Sequence, residues 1–177
     1  DSTGTNGKSS IANFYFQILT LNRIKVASIG TLGVTGLKVK KNFSNTTFDT
    51  IQINKILKKL KERRIENVIL EASSHGLNQN RLDGLEFDIG IFTNFTRDHL
   101  DYHKTYKNYL NSKLILFKKL LKKKSYAIYD NELKISSNLN RITRLNKIKK
   151  LTLGIDKSSF SIIDHQLLKD EQKITSV

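Results

Sequence analysis

The 177-residue chain contains no cysteine, proline, tryptophan or methionine. Without cysteine, this segment has no disulfide, no thiolate zinc site and no thiol nucleophile. No run of about 18 apolar residues occurs, so nothing in it reads as a membrane span, and no signal-peptide pattern opens it. With no initiator methionine, and only Asp1, Ser2 and Thr3 ahead of a glycine-rich loop, the chain reads as a piece of a longer protein. Negative charge is scarce: 16 Asp+Glu face 31 Lys+Arg, a formal net charge of +15. Such an excess suits nucleic acid or an anionic surface. Here the basic residues fall in runs such as Lys58 to Arg64 and Lys118 to Lys124, where apolar residues recur at helical spacing. They read as solvated helix faces, and the Lys-, Asn- and Ile-rich composition reads as general bias. No nucleic-acid partner is expected.

What is present begins at once. Gly4-Thr5-Asn6-Gly7-Lys8-Ser9 has the form of a phosphate-binding loop with a helical stretch behind it. In such loops glycines let the backbone bend until consecutive N–H groups converge on phosphate oxygens. Lys8 would then reach the β- and γ-phosphates and the Ser9 hydroxyl would ligate Mg²⁺.

The coarse pattern alternates. A helix is expected from Ser10 to Leu21, carrying Ile11, Phe14, Ile18 and Leu21, then a strand from Lys25 to Gly30. Thr31 to Thr47 reads as a long functional loop or small hairpin. Asp49 is placed to cap a helix from Ile51 to Arg64 with Ile53, Ile56, Leu57 and Leu60 inward. Strands follow at Asn67–Glu71 and Asp88–Thr93, a helix at about Thr105 to Leu121, and short strands at 126–129, 150–153 and 160–163. Strands alternating with helices behind a phosphate loop imply an α/β fold: a doubly wound, mostly parallel sheet, incomplete at both ends of this chain. Ligands gather beyond the carboxyl ends of such strands, and Glu71 and Thr93-Asn94 stand at two of them.

A phosphate loop alone is shared by kinases, GTPases, ATPases and ATP-driven ligases. Two polar segments narrow the choice: Glu71-Ala-Ser-Ser-His-Gly-Leu77, and Thr93-Asn-Phe-Thr-Arg-Asp-His-Leu-Asp-Tyr-His103. Lys113 lies fourteen positions (113 − 99) beyond His99. Together with the loop, these segments resemble the Mur ligase family, most closely its MurE branch, the UDP-N-acetylmuramoyl-tripeptide synthetases. The resemblance is dense from Gly4 to about Phe117 and generic beyond.

The resemblance implies an ATP-dependent amide-bond ligase of peptidoglycan precursor synthesis, cytoplasmic and monomeric. The chain, residues 1–177, would be part of its central ATP-binding domain, with the UDP-binding and C-terminal ligase domains outside it and this piece inactive alone. Gly4, Thr5, Asn6, Gly7, Lys8, Ser9 and Ser10 would hold the ATP phosphates; Ser9-Ser10 stands where Thr-Thr is common. Ser9, Glu71, His99 and Lys113 would serve two Mg²⁺ ions, Lys113 as a carbamate. Lys8, His99 and carbamylated Lys113 would be the catalytic groups. Asn45, Thr46, Thr47, Ser73, Gln79 and Arg81 would bind UDP-MurNAc-L-Ala-D-Glu. The second substrate would be a diamino acid, meso-diaminopimelate or L-lysine.

Elementary chemistry agrees with most of this. Making an acyl phosphate brings two anions together, which calls for Lys8 and Mg²⁺ to neutralise charge. Hard oxygen ligands suit Mg²⁺, whereas a histidine ligand is less usual, so His99 rests on the resemblance. Plainer readings stand beside these. Lys113 has the look of a surface helix lysine, Ser73 and Ser74 of turn residues, and Asn45-Thr46-Thr47 of a helix start. His75 and His103 read as loop-orienting groups, and Arg97, Asp98 and Asp101 as an ion network. A folylpolyglutamate synthase, another Mur step and a basic nucleic-acid-binding ATPase remain as alternatives at this point.

Overall fold

In the computed structural model, residues 1–36, 46–155, 157–167 and 172–176 are described. Asn45, expected to touch substrate, lies outside them. The order of elements is β1 (Ser2–Thr3), α1 (Lys8–Leu21), β2 (Val26–Gly30), β3 (Gly33–Thr35), α2 (Thr50–Glu62), β4 (Asn67–Leu70) and α3 (Ser74–Asn78). Then come β5 (Phe87–Phe92), α4 (Leu100–His103), α5 (Tyr106–Ile115), a π-helical turn at Leu116–Leu120, β6 (Leu121–Asp130), α6 (Ser136–Leu145), β7 (Lys149–Gly154), β8 (Phe160–Leu167) and β9 (Gln172–Ser176).

The strands form two ladders, β3-β2-β4 and β1-β5-β6-β7-β8-β9. A parallel bridge between Ser2 and Glu71 joins them into one sheet, reinforced by Ala72 N–H donating to the Ser2 carbonyl at 2.9 Å. Pairing is parallel throughout except for β3 on β2 and β9 on β8. From β1 the chain winds outward on one side through β2 and back to β4, then crosses to β5 and outward on the other. The reversal falls at β1, so the carboxyl ends of β1, β4 and β5 flank one crevice.

Local chemistry explains most elements. Asp49 caps α2 by accepting from Gln52 N–H at 2.9 Å, and Thr105 caps α5 by accepting from Asn108 N–H at 3.1 Å. Ile53 and Leu60 of α2 are buried, as its spacing requires. In α1 the apolar stripe Phe14, Ile18 and Leu21 faces solvent, and Ala12 is the buried residue. With apolar residues on every side, periodicity marks the helix but not its inner face. The single long helix expected from Thr105 to Leu121 is α5 closed by the wider π-helical turn. That turn buries Leu116, Phe117 and Leu120 before Leu121 enters β6. Helix α6, unanticipated, buries Leu139 and Ile142 against the β6–β7 half.

Candidate active site

The loop from Gly4 to Gly7 leaves β1 into α1, and its bends are held by the rim of β5. Thr5 N–H donates to the Asn94 carbonyl at 3.1 Å and Asn6 N–H to Asn94 Oδ1 at 2.8 Å. Thr93 Oγ1 donates to the Asn6 carbonyl at 2.5 Å. Gly4 has φ +153°, and a Cβ there would collide with the Thr93 hydroxyl, so glycine is required on packing grounds as well. Helix α1 starts behind Gly7 with no side-chain cap, which leaves its first N–H groups directed at whatever anion the loop receives.

Two lysines converge on the loop carbonyls. Lys8 Nζ donates to Gly4 O at 3.0 Å and Thr5 O at 2.9 Å. Lys113, from α5 and only 1% exposed, donates to the same Gly4 carbonyl and lies 4.6 Å from the Tyr109 ring centre. Burial, and then the positive charge of Lys8, pull its pKa from 10.5 down to about 7, against the attraction of Asp98. The lowered pKa favours the neutral amine. Burial also lowers the Lys8 pKa, opposed by Glu71 and then Asp98.

Glu71, at the end of β4 and 2% exposed, faces the loop from the other side. Its carboxylate accepts from Ser9 Oγ at 2.8 Å and from Thr31 N–H and Oγ1 at 3.2 and 3.1 Å. Gly30 makes room for it, since a Cβ there would strike the carboxylate. Among the described residues Glu71 has no ion-pair partner within 4.0 Å. A buried carboxylate beside a hydroxyl, with charge unmatched at contact distance, is a donor set that fits Mg²⁺. Thr31 was not anticipated, although its place directly beyond the end of β2 is the kind of position where ligands gather.

His99 begins α4 in the left-handed region, φ 51°. Asp98 holds it there, accepting from its N–H at 2.8 Å and lying 3.4 Å from Nε2. Its ring meets that of His75 edge-on at 5.0 Å and that of Tyr109 at 6.0 Å. Tyr109 in turn shares a 3.2 Å hydrogen bond with Thr5 of the loop. Loop, α4 and α5 are thus coupled. Among the described residues, no three His, Asp or Glu side chains cluster in position to hold a metal ion.

The described residues among those expected to bind substrate form one network beyond β4. Buried Thr47 donates through Oγ1 to the Glu71 carbonyl at 2.9 Å and pairs with Ser73 Oγ at 2.9 Å. Arg81 donates to the Thr47 carbonyl at 2.6 Å and, through Nε and Nη2, to Gln79 Oε1 at 2.9 and 2.6 Å. Gln79 donates onward to Tyr102 OH at 3.1 Å, and Thr46 Oγ1 accepts from Thr31 Oγ1 at 3.1 Å. Ser10 is exposed on α1.

Residues 3–177 match the model of the Mur ligase middle domain. The chain belongs to the Mur ligase family. Among relatives, UDP-N-acetylmuramoyl-L-alanyl-D-glutamate–2,6-diaminopimelate ligase of Rickettsia bellii (strain RML369-C) is 42% identical over 86% of this chain and 33% of its own length. The protein of the same name from Zymomonas mobilis subsp. mobilis (strain ATCC 31821 / ZM4 / CP4) is 36% identical over 98% of this chain and 36% of its own. This chain thus spans about a third of the length of these relatives. A solved structure of a ligase of that name superposes on 99% of the chain and 36% of its own with TM-score 0.87 and 29% identity. A MurF ligase from Thermotoga maritima in complex with ADP shares the fold, with TM-score 0.65 and 14% identity over 99% of this chain and 37% of its own. Mur ligases use ATP and Mg²⁺. No described helix is long and apolar enough to cross a membrane.

Proposed function

We propose that this chain is the nucleotide-handling part of an enzyme that joins UDP-MurNAc-L-Ala-D-Glu to 2,6-diaminopimelate, consuming ATP through an acyl phosphate. The observation that carries the reading is the meeting of Lys8, Ser9, Glu71 and Lys113 around one loop. The relatives named above favour diaminopimelate over L-lysine as the incoming amine. A cytoplasmic, monomeric enzyme belongs to the same reading.

Each residue then has a task. The loop from Gly4 to Ser10, with the uncapped N–H groups at the start of α1, seats the triphosphate, and Lys8 neutralises charge on the phosphoryl group as it moves to the D-glutamyl carboxylate. Ser9 and Glu71 are suited to one Mg²⁺; His99 and Lys113 are assigned to a second. When bound, Mg²⁺ lowers the repulsion between the two reacting anions. Neutral Lys113 attacks CO₂ through nitrogen and loses a proton, giving a carbamate. That step places an anion attracted to Lys8 where a protonated amine would be repelled by it. Thr46, Thr47, Ser73, Gln79 and Arg81, with Asn45, hold the dipeptide substrate, Arg81 supplying the positive charge suited to an anionic group.

The test is an assay of the full-length protein with ATP, Mg²⁺, UDP-MurNAc-L-Ala-D-Glu and 2,6-diaminopimelate. Amide product formed one-for-one with ADP and phosphate supports the reading. L-lysine taken in preference changes the amine assignment, and ATP turnover without dependence on the nucleotide-linked dipeptide refutes the whole.

A further inference from the structure

His103 carries none of the roles assigned above, yet it is 4% exposed and both its ring nitrogens are engaged. Nε2 lies 3.0 Å from Ser74 Oγ and Nδ1 lies 3.3 Å from Ser112 Oγ. One tautomer satisfies all of these bonds at once. Ser112 Oγ has a single proton, donated within α5 to the Asn108 carbonyl at 2.9 Å, with the Asn78 Oδ1 acceptor at 3.4 Å as its alternative. With that proton on a carbonyl, its lone pairs accept from Nδ1–H, and in a neutral ring Nε2 accepts the Ser74 hydroxyl proton. The backbone adds a further tie, Asn108 Nδ2 donating to the His103 carbonyl at 3.1 Å.

The two serines belong to different halves of the site. Ser74 follows Ser73, whose hydroxyl is paired with Thr47; Ser112 precedes Lys113. We propose that His103 is a positioning residue, a buried two-way clasp that holds α3 and α5 in register so that the substrate-side hydroxyls and the Lys113 amine serve one loop. This rests on the ligase reading above. It also separates two effects that a generally destabilised site would mix: the Ser74 bond supports substrate binding and the Ser112 bond supports phosphoryl transfer.

The experiment uses the full-length enzyme with His103→Asn, His103→Gln and His103→Leu. An Asn amide nitrogen falls where Nδ1 lies, preserving the bond to Ser112, and a Gln amide oxygen falls where Nε2 lies, preserving that from Ser74. His103→Asn is expected to raise KM for the UDP-linked dipeptide about tenfold with kcat nearly kept, and His103→Gln to lower kcat about tenfold with KM nearly kept. His103→Leu should show both losses, about 10- to 100-fold in kcat/KM. Should these variants fold poorly, Ser74→Ala is expected to reproduce the Asn pattern and Ser112→Ala the Gln pattern. Equal mixed losses in every variant, or no loss in His103→Leu, would overturn the proposal. So would a ¹⁵N-histidine spectrum placing the His103 proton on Nε2. Wild-type enzyme that makes no amide product would instead refute the ligase reading, while the spectrum still reports on the clasp.

Discussion

Two sets of lysines occupy this molecule, and they obey different physics. Lys122 sits on the solvated start of β6, its side chain 43% exposed, and pairs with an Asp88 side chain that is 82% exposed, at 3.0 Å. Such a pair contributes about 0–1 kcal/mol. Lys113 is buried beside Lys8, with a pKa near 7. The net charge of +15 is made almost entirely by the first set. The proposed chemistry is assigned to the second, where burial and a like charge lower the pKa of a lysine. Charge counted over a sequence therefore says little about its site.

The contrast can be broken most severely at Lys8. Lys8→Ala in the full-length enzyme should lower phosphoryl transfer about 10²- to 10³-fold, in the range found for loss of a group that stabilises transition-state charge. A loss no larger than that of a surface lysine would remove it from the site. Lys113→Ala should also sharply lower turnover, with partial recovery on adding short carboxylates that stand in for the proposed carbamate. Unchanged activity would return Lys113 to the surface set. Glu71→Gln should raise the Mg²⁺ requirement about 10- to 100-fold, as loss of metal-supporting groups does.

Stability sharpens the same contrast. The folded protein keeps Lys113 largely neutral between pH 7 and 10.5, where the unfolded chain binds the proton. The unfolded state therefore holds more protons in this window, and stability rises with pH across it. Lys113→Met should unfold at higher denaturant than wild type near pH 7, and the advantage should shrink toward pH 10. A constant difference would contradict the depressed pKa. Smallest of all, Lys122→Gln, Lys123→Gln and Lys124→Gln should each leave activity unchanged and shift stability within about 0.5 kcal/mol.

Much of this was readable in the residues. The phosphate loop, Glu71 at a strand end and the Asp49 cap follow from local rules, and the parallel sheet follows from alternation. The resemblance singled out Lys113 from its many basic neighbours. What stayed hidden depends on contacts distant in sequence. The burial of Lys113 needs Gly4, 109 residues away. The hold of Thr31 on Glu71 spans 40 residues, and the clasp of His103 on Ser74 spans 29. The outer face of α1 was equally invisible, because a helix with apolar residues all round does not announce which side meets the sheet.

The most direct measurement replaces Mg²⁺ by Mn²⁺ in crystals of the full-length protein with ADP and maps the metal by anomalous scattering. The expected result is a peak in contact with the Ser9 hydroxyl and the Glu71 carboxylate, on the Lys8 side of the loop. A nucleotide-bound metal that touches neither residue would contradict the site described.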